Sequence, residues 1–233
     1  MKWCAIIILI LIGTVKSRNV LEKRAVSRRI VRQTLSSITP TPLSSLRDLL
    51  IKNCVNNGIS ANDLRDMKAS FDRMARCMSN VIIYTTPKEE YINNTIECTN
   101  DTNSKISHCL KDSQKYFSHL DLEITTSLIN FVYDYKDILK STDLESCVQK
   151  LRTNEDFAVS YLTCLRDRGR GLDDGPSIPN SKTEFCKKCI PRNRCLPDTM
   201  DEYCKNSTIV SKFTKNYKKA MQLSCKLDES EAE

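Results

Sequence analysis

Twelve cysteines in a chain of 233 residues are its main reactive groups, against two histidines and five glycines. Thiols can pair, ligate a metal or act as redox centres. The densest cluster is Cys186-Lys-Lys-Cys189 followed by Cys195 and Cys204. Four thiolates at this spacing suit zinc, and a CxxC at a helix start suits a redox pair with a lowered thiol pKa. Export would carry these thiols into oxidising surroundings, and no strand precedes Cys186, so structural disulfides are the expectation. General-base chemistry by histidine would have to use His108 or His119, and neither lies in a nucleophile motif. HExxH, GxSxG and a Gly-rich phosphate loop are all absent. The carboxylate pairs Asp173-Asp174 and Glu89-Glu90 are explained by a solvated loop and by a helix first turn, where negative charge is favoured. The sequence therefore predicts a non-enzyme without catalytic residues, metal site or cofactor.

The compartment follows from the first residues. Lys2 precedes an apolar run from Ala5 to Ile12, with Val15 and Ser17 suited to cleavage before Arg18. This reads as a signal peptide over 1–17, since the run is well short of the roughly 20 apolar residues of a membrane span. Val81–Tyr84 and Thr126–Tyr135 are too short or too interrupted to anchor the chain, so no transmembrane segment is expected. Loss of the leader removes Lys2, Lys16 and Cys4, which lowers the net charge from +7 to +5 and leaves eleven cysteines. An odd thiol remains, and it could bridge a dimer. Asn93, Asn100 and Asn206 head Asn-x-Ser/Thr sequons in polar stretches, so glycosylation is expected. The predicted location is extracellular, where nucleic acid is not an expected partner.

Beyond the leader, residues 18–41 form a basic, Ser/Thr/Pro-containing stretch that reads as a flexible arm, or as a pro-segment if the dibasic pairs Lys23-Arg24 and Arg28-Arg29 are cut. A helical body is predicted over 42–168, a Gly/Pro loop over 169–180, a Cys-rich helical C-terminal part over 181–227 and an acidic tail over 228–233. Leu43, Leu46, Leu49, Leu50 and Cys54 fall at helical spacing before Gly58, which can close the helix in the left-handed conformation. Ser60 with Asp63 opens the next helix, whose stripe is Leu64, Met67, Phe71, Met74 and Cys77 or Met78. Further helices are expected over Pro87–Cys98, about Asn103–Phe117 and Leu122–Leu139, then from starts at Thr142, Thr153, Ser181 and Pro197, and finally over Thr208–Ser224. Alternating strand patterns are nearly absent. The fold class is all-α: a multi-helix bundle of short helices stapled by disulfides.

The disulfide candidates are Cys54, Cys77, Cys98, Cys109, Cys147, Cys164, Cys186, Cys189, Cys195, Cys204 and Cys225. Pairing neighbours such as Cys54 with Cys77 conflicts with helix geometry. In a tight antiparallel hairpin about Gly58, Cys54 would face a residue near Asp63, leaving Cys77 roughly 21 Å further along, whereas bridged α-carbons sit about 4.4–6.8 Å apart. Either the hairpin is splayed or Cys54 pairs elsewhere. Connectivity otherwise stays open.

Two surfaces could bind something. Met67, Phe71, Met74, Leu128, Phe131, Val132, Tyr135, Phe157 and Tyr161 could line an apolar pocket, although an ordinary core explains the same stripes. On the last helix, Ile209, Phe213, Tyr217 and Ala220 lie along one side and Lys212, Lys215 and Lys219 along the other. With Lys205, Lys218 and Lys226, that basic face could meet an anionic membrane, a sulfated glycan or an acidic partner. An ordinary solvated helix face is the favoured reading, since Asp228, Glu229, Glu231 and Glu233 follow immediately and offset the charge.

The Asn-rich turn after Cys54, the helix ending in Cys77, the segment Leu128-Ile-Asn-Phe-Val-x-x-Tyr135 leading to Cys147 and Cys164, and the Cys-rich end through Cys225 resemble the insect twenty-seven-kilodalton haemolymph glycoproteins over most of 43–225. In that family a cysteine usually falls near Tyr133, where this chain has none. The resemblance implies a secreted helical glycoprotein whose biochemical role is undetermined. Cys195 and Cys204 also resemble the last cysteine pair of the long insect odorant-binding proteins, although the CxxxC of that pattern is missing. The function expected is non-catalytic binding or carriage of a small apolar ligand. The alternative is a secreted humoral or venom factor acting through protein or membrane-surface contacts.

Overall fold

The structure is a computed structural model that describes residues 42–168 and 178–225, without the side chains of residues 42–46, Arg152 and Cys189. The leader, the basic arm, most of the Gly/Pro loop and the acidic tail lie outside these residues. The chain divides after Leu50. The described part of the first unit is the opening of helix α1 (Pro42–Asn56), which begins on a proline whose fixed φ suits the first helical position. Everything else belongs to the second unit, and among the described residues it is all helix, turn and loop.

Helix α1 ends as expected. Gly58 takes φ 82°, and the amides of Gly58 and Ile59 donate to the carbonyls of Val55 and Cys54 at 3.0 and 3.1 Å. Only glycine reaches this backbone cheaply, and the two bonds satisfy carbonyls that the helix end would otherwise orphan. Helix α2 (Ala61–Ser79) opens on Ser60, whose hydroxyl accepts from the Asp63 amide. Met67, Ser70 and Phe71 form its buried stripe, while Met74 and Met78 are half-buried.

Helix α3 (Lys88–Cys109) corrects the expectation of two helices with a break near the sequons. Its buried stripe is Ile92, Thr95, Cys98, Thr102 and Ile106. Two of the five are threonines, so the apolar period is interrupted in sequence but not in space. Thr95 donates its hydroxyl to the Tyr91 carbonyl at 2.7 Å, which removes the cost of burying it.

Helices α2 and α3 run antiparallel. Lys105 meets Asp66 at 2.5 Å, Arg73 meets Asp101 at 2.7 Å, and Cys77 bridges Cys98, so partners advance on one helix as they retreat on the other. The connecting loop is pinned by Tyr133, whose hydroxyl donates to the Thr86 carbonyl at 2.8 Å and accepts from the Tyr84 amide at 3.3 Å. Tyr84 itself sits at φ 69°, a left-handed conformation that costs a bulky residue about 1–3 kcal/mol and persists where surrounding contacts over-determine it. Those contacts are the edge of the Tyr133 ring at 5.7 Å and Lys140 over the Tyr84 face at 5.0 Å.

After a 3₁₀ turn (Asp112–Gln114), helices α4 (Tyr116–Asp134) and α5 (Lys136–Leu139) replace the single helix expected over 122–139, with a break at Tyr135. Helix α6 (Thr142–Thr153) is capped by Ser141 and α7 (Glu155–Asp167) by Asn154, one residue from the starts expected at Thr142 and Thr153. Then come α8 (Lys182–Asn193), capped by Ser181, α9 (Cys195–Tyr203), and α10 (Thr208–Leu223), capped by Ser207. Pro197 lies inside the first turn of α9 and does not start it. Its missing N–H is among those a helix start leaves unbonded anyway.

The core of the second unit centres on α4 and α10. Phe131 meets Phe213 and Tyr217 edge-on at 5.7 and 6.0 Å, all three being buried, and Ser127 donates to the Ala220 carbonyl at 2.7 Å. Five disulfides hold the helices: Cys54–Cys109, Cys77–Cys98, Cys147–Cys204, Cys164–Cys195 and Cys186–Cys225. Their α-carbons lie 5.0–6.0 Å apart, inside the range for a bridge. Cys54 does not pair with Cys77, in keeping with the geometric argument. The Cys147 and Cys164 bridges cross from the body into the Cys-rich part, and the α4–α10 contacts do the same, so the two share one core.

Candidate functional site

Helix α10 carries its apolar residues at helical spacing. Val210, Phe213, Tyr217, Ala220 and Met221 are all buried. Burying that stripe turns the lysines of the opposite face outward. Beside this face, α9 and the turn at 204–207 form the other wall of an open cleft of about 770 Å³. Its charged lining is Arg194, Asp201, Lys205, Lys215, Lys218 and Lys219, and the polar side chains of Ser211, Asn216 and Gln222 line it too. Cys204 lies in the same wall, so its bridge to Cys147 on α6 fixes that wall covalently.

The charges differ in role. Lys218 donates to Asp201 and forms an ion pair with Asp198, both at 2.8 Å, and Asp198 also meets Arg168 at 2.9 Å. Burial works against the Lys218 charge, but the hydrogen bonds and charges of the two aspartates outweigh it and hold its pKa above the ordinary lysine value. Burial likewise opposes the Asp198 charge, and bonds from Lys218 and Arg168 prevail, lowering its pKa. Asp201 also accepts from Thr214 at 2.5 Å, so both its oxygens are engaged. This group is internally neutralised and ties α9 to α10. Arg194, Lys205, Lys215 and Lys219 are exposed and form no ion pair among the described residues. Ser207, in the turn that lines the cleft, donates to Asp143 at 3.3 Å. The N-terminal turn of α10, capped by Ser207, adds a partial positive charge on the same side.

Comparison with known proteins finds no match to any family model, any curated protein or any solved structure. The arrangement of side chains is thus the only guide to function.

The nine residues considered for an apolar pocket fall into three groups in different helices. Met67, Phe71 and Met74 lie on α2, with the Cys109 sulfur 4.0 Å from that of Met67. Leu128, Phe131 and Val132 are buried on α4, where Phe131 meets Phe213 and Tyr217 of α10, and Tyr135 at the end of α4 lies 5.3 Å from Phe131. Phe157 and Tyr161 lie 6.1 Å apart on α7, with Tyr203 of α9 edge-on to Phe157 at 5.7 Å. None of the nine lines the cleft described above or a second cleft of about 460 Å³ formed by Lys150, Leu151, Thr153, Asn154, Glu155 and Tyr203.

Three of the four thiols whose spacing suits zinc are consumed in bridges, Cys186 to Cys225, Cys195 to Cys164 and Cys204 to Cys147. Cys189 lies on α8 with its side chain outside the described ones. His108 has its Nδ1 at 2.6 Å from the Ser104 carbonyl, and His119 is exposed. Asn93 and Asn100 are exposed on α3, and Asn206 is exposed in the turn between Lys205 and Ser207. Lysines on the outer face of α10 were visible in the sequence. Arg194 was not singled out, because only the turn between α8 and α9 brings it to the same cleft.

Proposed function

We propose that the chain is a secreted, glycosylated, non-catalytic binding protein of the haemolymph-glycoprotein kind that acts through its surface, with the α9–α10 cleft as the contact. The observation that carries this reading is the set of four cations, without an ion pair among the described residues, around one concave wall held by a disulfide. Unpaired charge that is already in place costs little to present, and it steers an oppositely charged partner from a distance. Carriage of a small apolar ligand receives less support, since Phe131, Val132, Leu128, Met67, Phe71 and Phe157 are buried among other core residues. The extracellular assignment is supported by the five bridges, which persist in an oxidising compartment, and by the leader. No helix among the described residues is long and apolar enough to cross a membrane.

Expression of the full chain in cultured secretory cells tests this. Native mass spectrometry of protein from the medium is expected to show the processed polypeptide without a retained small molecule. A lipid or other apolar compound that stays bound would overturn the reading in favour of carriage, and retention of the chain inside the cell would overturn its extracellular part.

A further inference from the structure

We infer that the α9–α10 cleft binds a sulfated polysaccharide, an inference that rests on the surface-binding reading above and names its ligand class. Arg194, Lys205, Lys215 and Lys219 supply positive charge that no acid in the described structure neutralises, whereas Lys218 is held by Asp198 and Asp201. Lys215 and Lys219 are one turn apart on α10, about 6 Å along its axis, so they present two charges in a row to a chain lying along the helix. Ser211, Asn216 and Gln222 line the same cleft and offer hydrogen bonds to hydroxyl and sulfate oxygens.

The same lining disfavours the other anionic partners. Helices that dock on membranes insert an apolar face beneath the headgroups. The apolar face of α10 is already used, with Val210 and Tyr217 at 0% exposure, and a recessed cleft cannot lie flat on a bilayer. An acidic protein partner would want aromatic or aliphatic anchor pockets, which supply most of the energy of such interfaces. Among the described residues the exposed large apolar ones are Val55, Ile96, Val159, Leu162 and Leu223, and none of them lines the cleft. What remains is recognition by charge and hydrogen bonds along an open groove, which suits a hydrophilic linear polyanion.

The test measures binding of the full processed chain to heparin, to chemically desulfated heparin, to phosphatidylserine vesicles and to a poly-glutamate peptide, each across a salt series. Two double variants with equal loss of charge are compared, Lys215→Ala with Lys219→Ala in the cleft, and Lys68→Ala with Lys111→Ala, both exposed, outside it. Far-ultraviolet circular dichroism confirms that each remains folded. We expect salt-sensitive binding to heparin but not to its desulfated form, weakened on the order of tenfold by the cleft pair and little by the other pair. Equal weakening by both pairs would reduce the effect to net charge and overturn the cleft assignment. Cleft-dependent binding to vesicles or peptide without heparin binding would overturn the sulfated ligand and leave the surface-binding reading standing. Failure to bind any of the anionic probes would overturn both.

Discussion

Asp121 on α4 is the carboxyl most out of place in the second unit. It makes no ion pair or hydrogen bond among the described residues, and burial pushes its pKa up to about 6. In the unfolded chain an aspartate titrates near 3.9. Between these values the folded state binds the extra proton, so the contribution of Asp121 to stability falls as pH rises from about 4 to about 6 and stays low above that. Replacing it with asparagine should therefore stabilise the protein at pH 7 by about 1–2 kcal/mol and do almost nothing at pH 4. The gain stays below the full value of the shift because part of the residue still reaches solvent. Denaturant unfolding of both forms at the two pH values checks this, and an equal gain at both would show that titration is not the cause. Acids with partners behave oppositely. Asp101, held low first by Arg73 and then by Lys105, and Glu184, held low by Lys188, lend their support above the unfolded pKa and lose it as pH falls through the folded one.

Between elements, the disulfides divide the work by the length of chain they close. Cys147–Cys204 spans 57 residues and ties α6 to the end of α9, whereas Cys77–Cys98 spans 21 and staples a hairpin that ion pairs already align. Loop closure predicts that the longer bridge stabilises by about 0.9 kcal/mol more. Replacing both cysteines of each bridge by serine should show that order in the denaturant midpoint, and the reverse order would mean that native-state packing, not loop length, sets the cost. Much of this scale was readable in the chain. Ser60, Gly58, Ser181 and the α10 stripe act as their residue types suggest, because caps and amphipathic faces are local. The continuous α3 was not readable, since its stripe passes through Thr95 and Thr102 and a burial pattern carried by hydroxyls looks polar. The disulfide map was legible only as an exclusion, because which helices meet is decided by packing between distant segments. The cleft was half legible for the same reason. Lysine spacing marks the outer face of α10, but the neutralisation of Lys218 depends on aspartates 17 and 20 residues earlier, on another helix.

At the scale of the whole molecule, one of the three sequons and the cleft fall on the same turn. Asn206 is exposed between Lys205 and Ser207, and both neighbours line the cleft. A branched oligosaccharide attached there would stand at the rim, large and hydrated, and would compete with a polyanion for the space above Lys205 and the start of α10. Glycans on Asn93 and Asn100 would project from α3, whose residues form no part of the cleft lining. The three sequons are thus chemically alike and positionally unlike. Where Asn206 carries a glycan, removing it by Asn206→Gln or by enzymatic trimming of the folded protein should tighten heparin binding several-fold, chiefly through faster association as the steric shield is lifted. The variants Asn93→Gln and Asn100→Gln should leave binding within error of the parent. Surface plasmon resonance on protein from secretory cells gives the rates directly, and intact mass confirms which sites are occupied. If trimming an occupied Asn206 leaves the association rate unchanged, the polyanion approaches from the α10 side without crossing this turn, and Lys205 is then the cation of the four that contributes least.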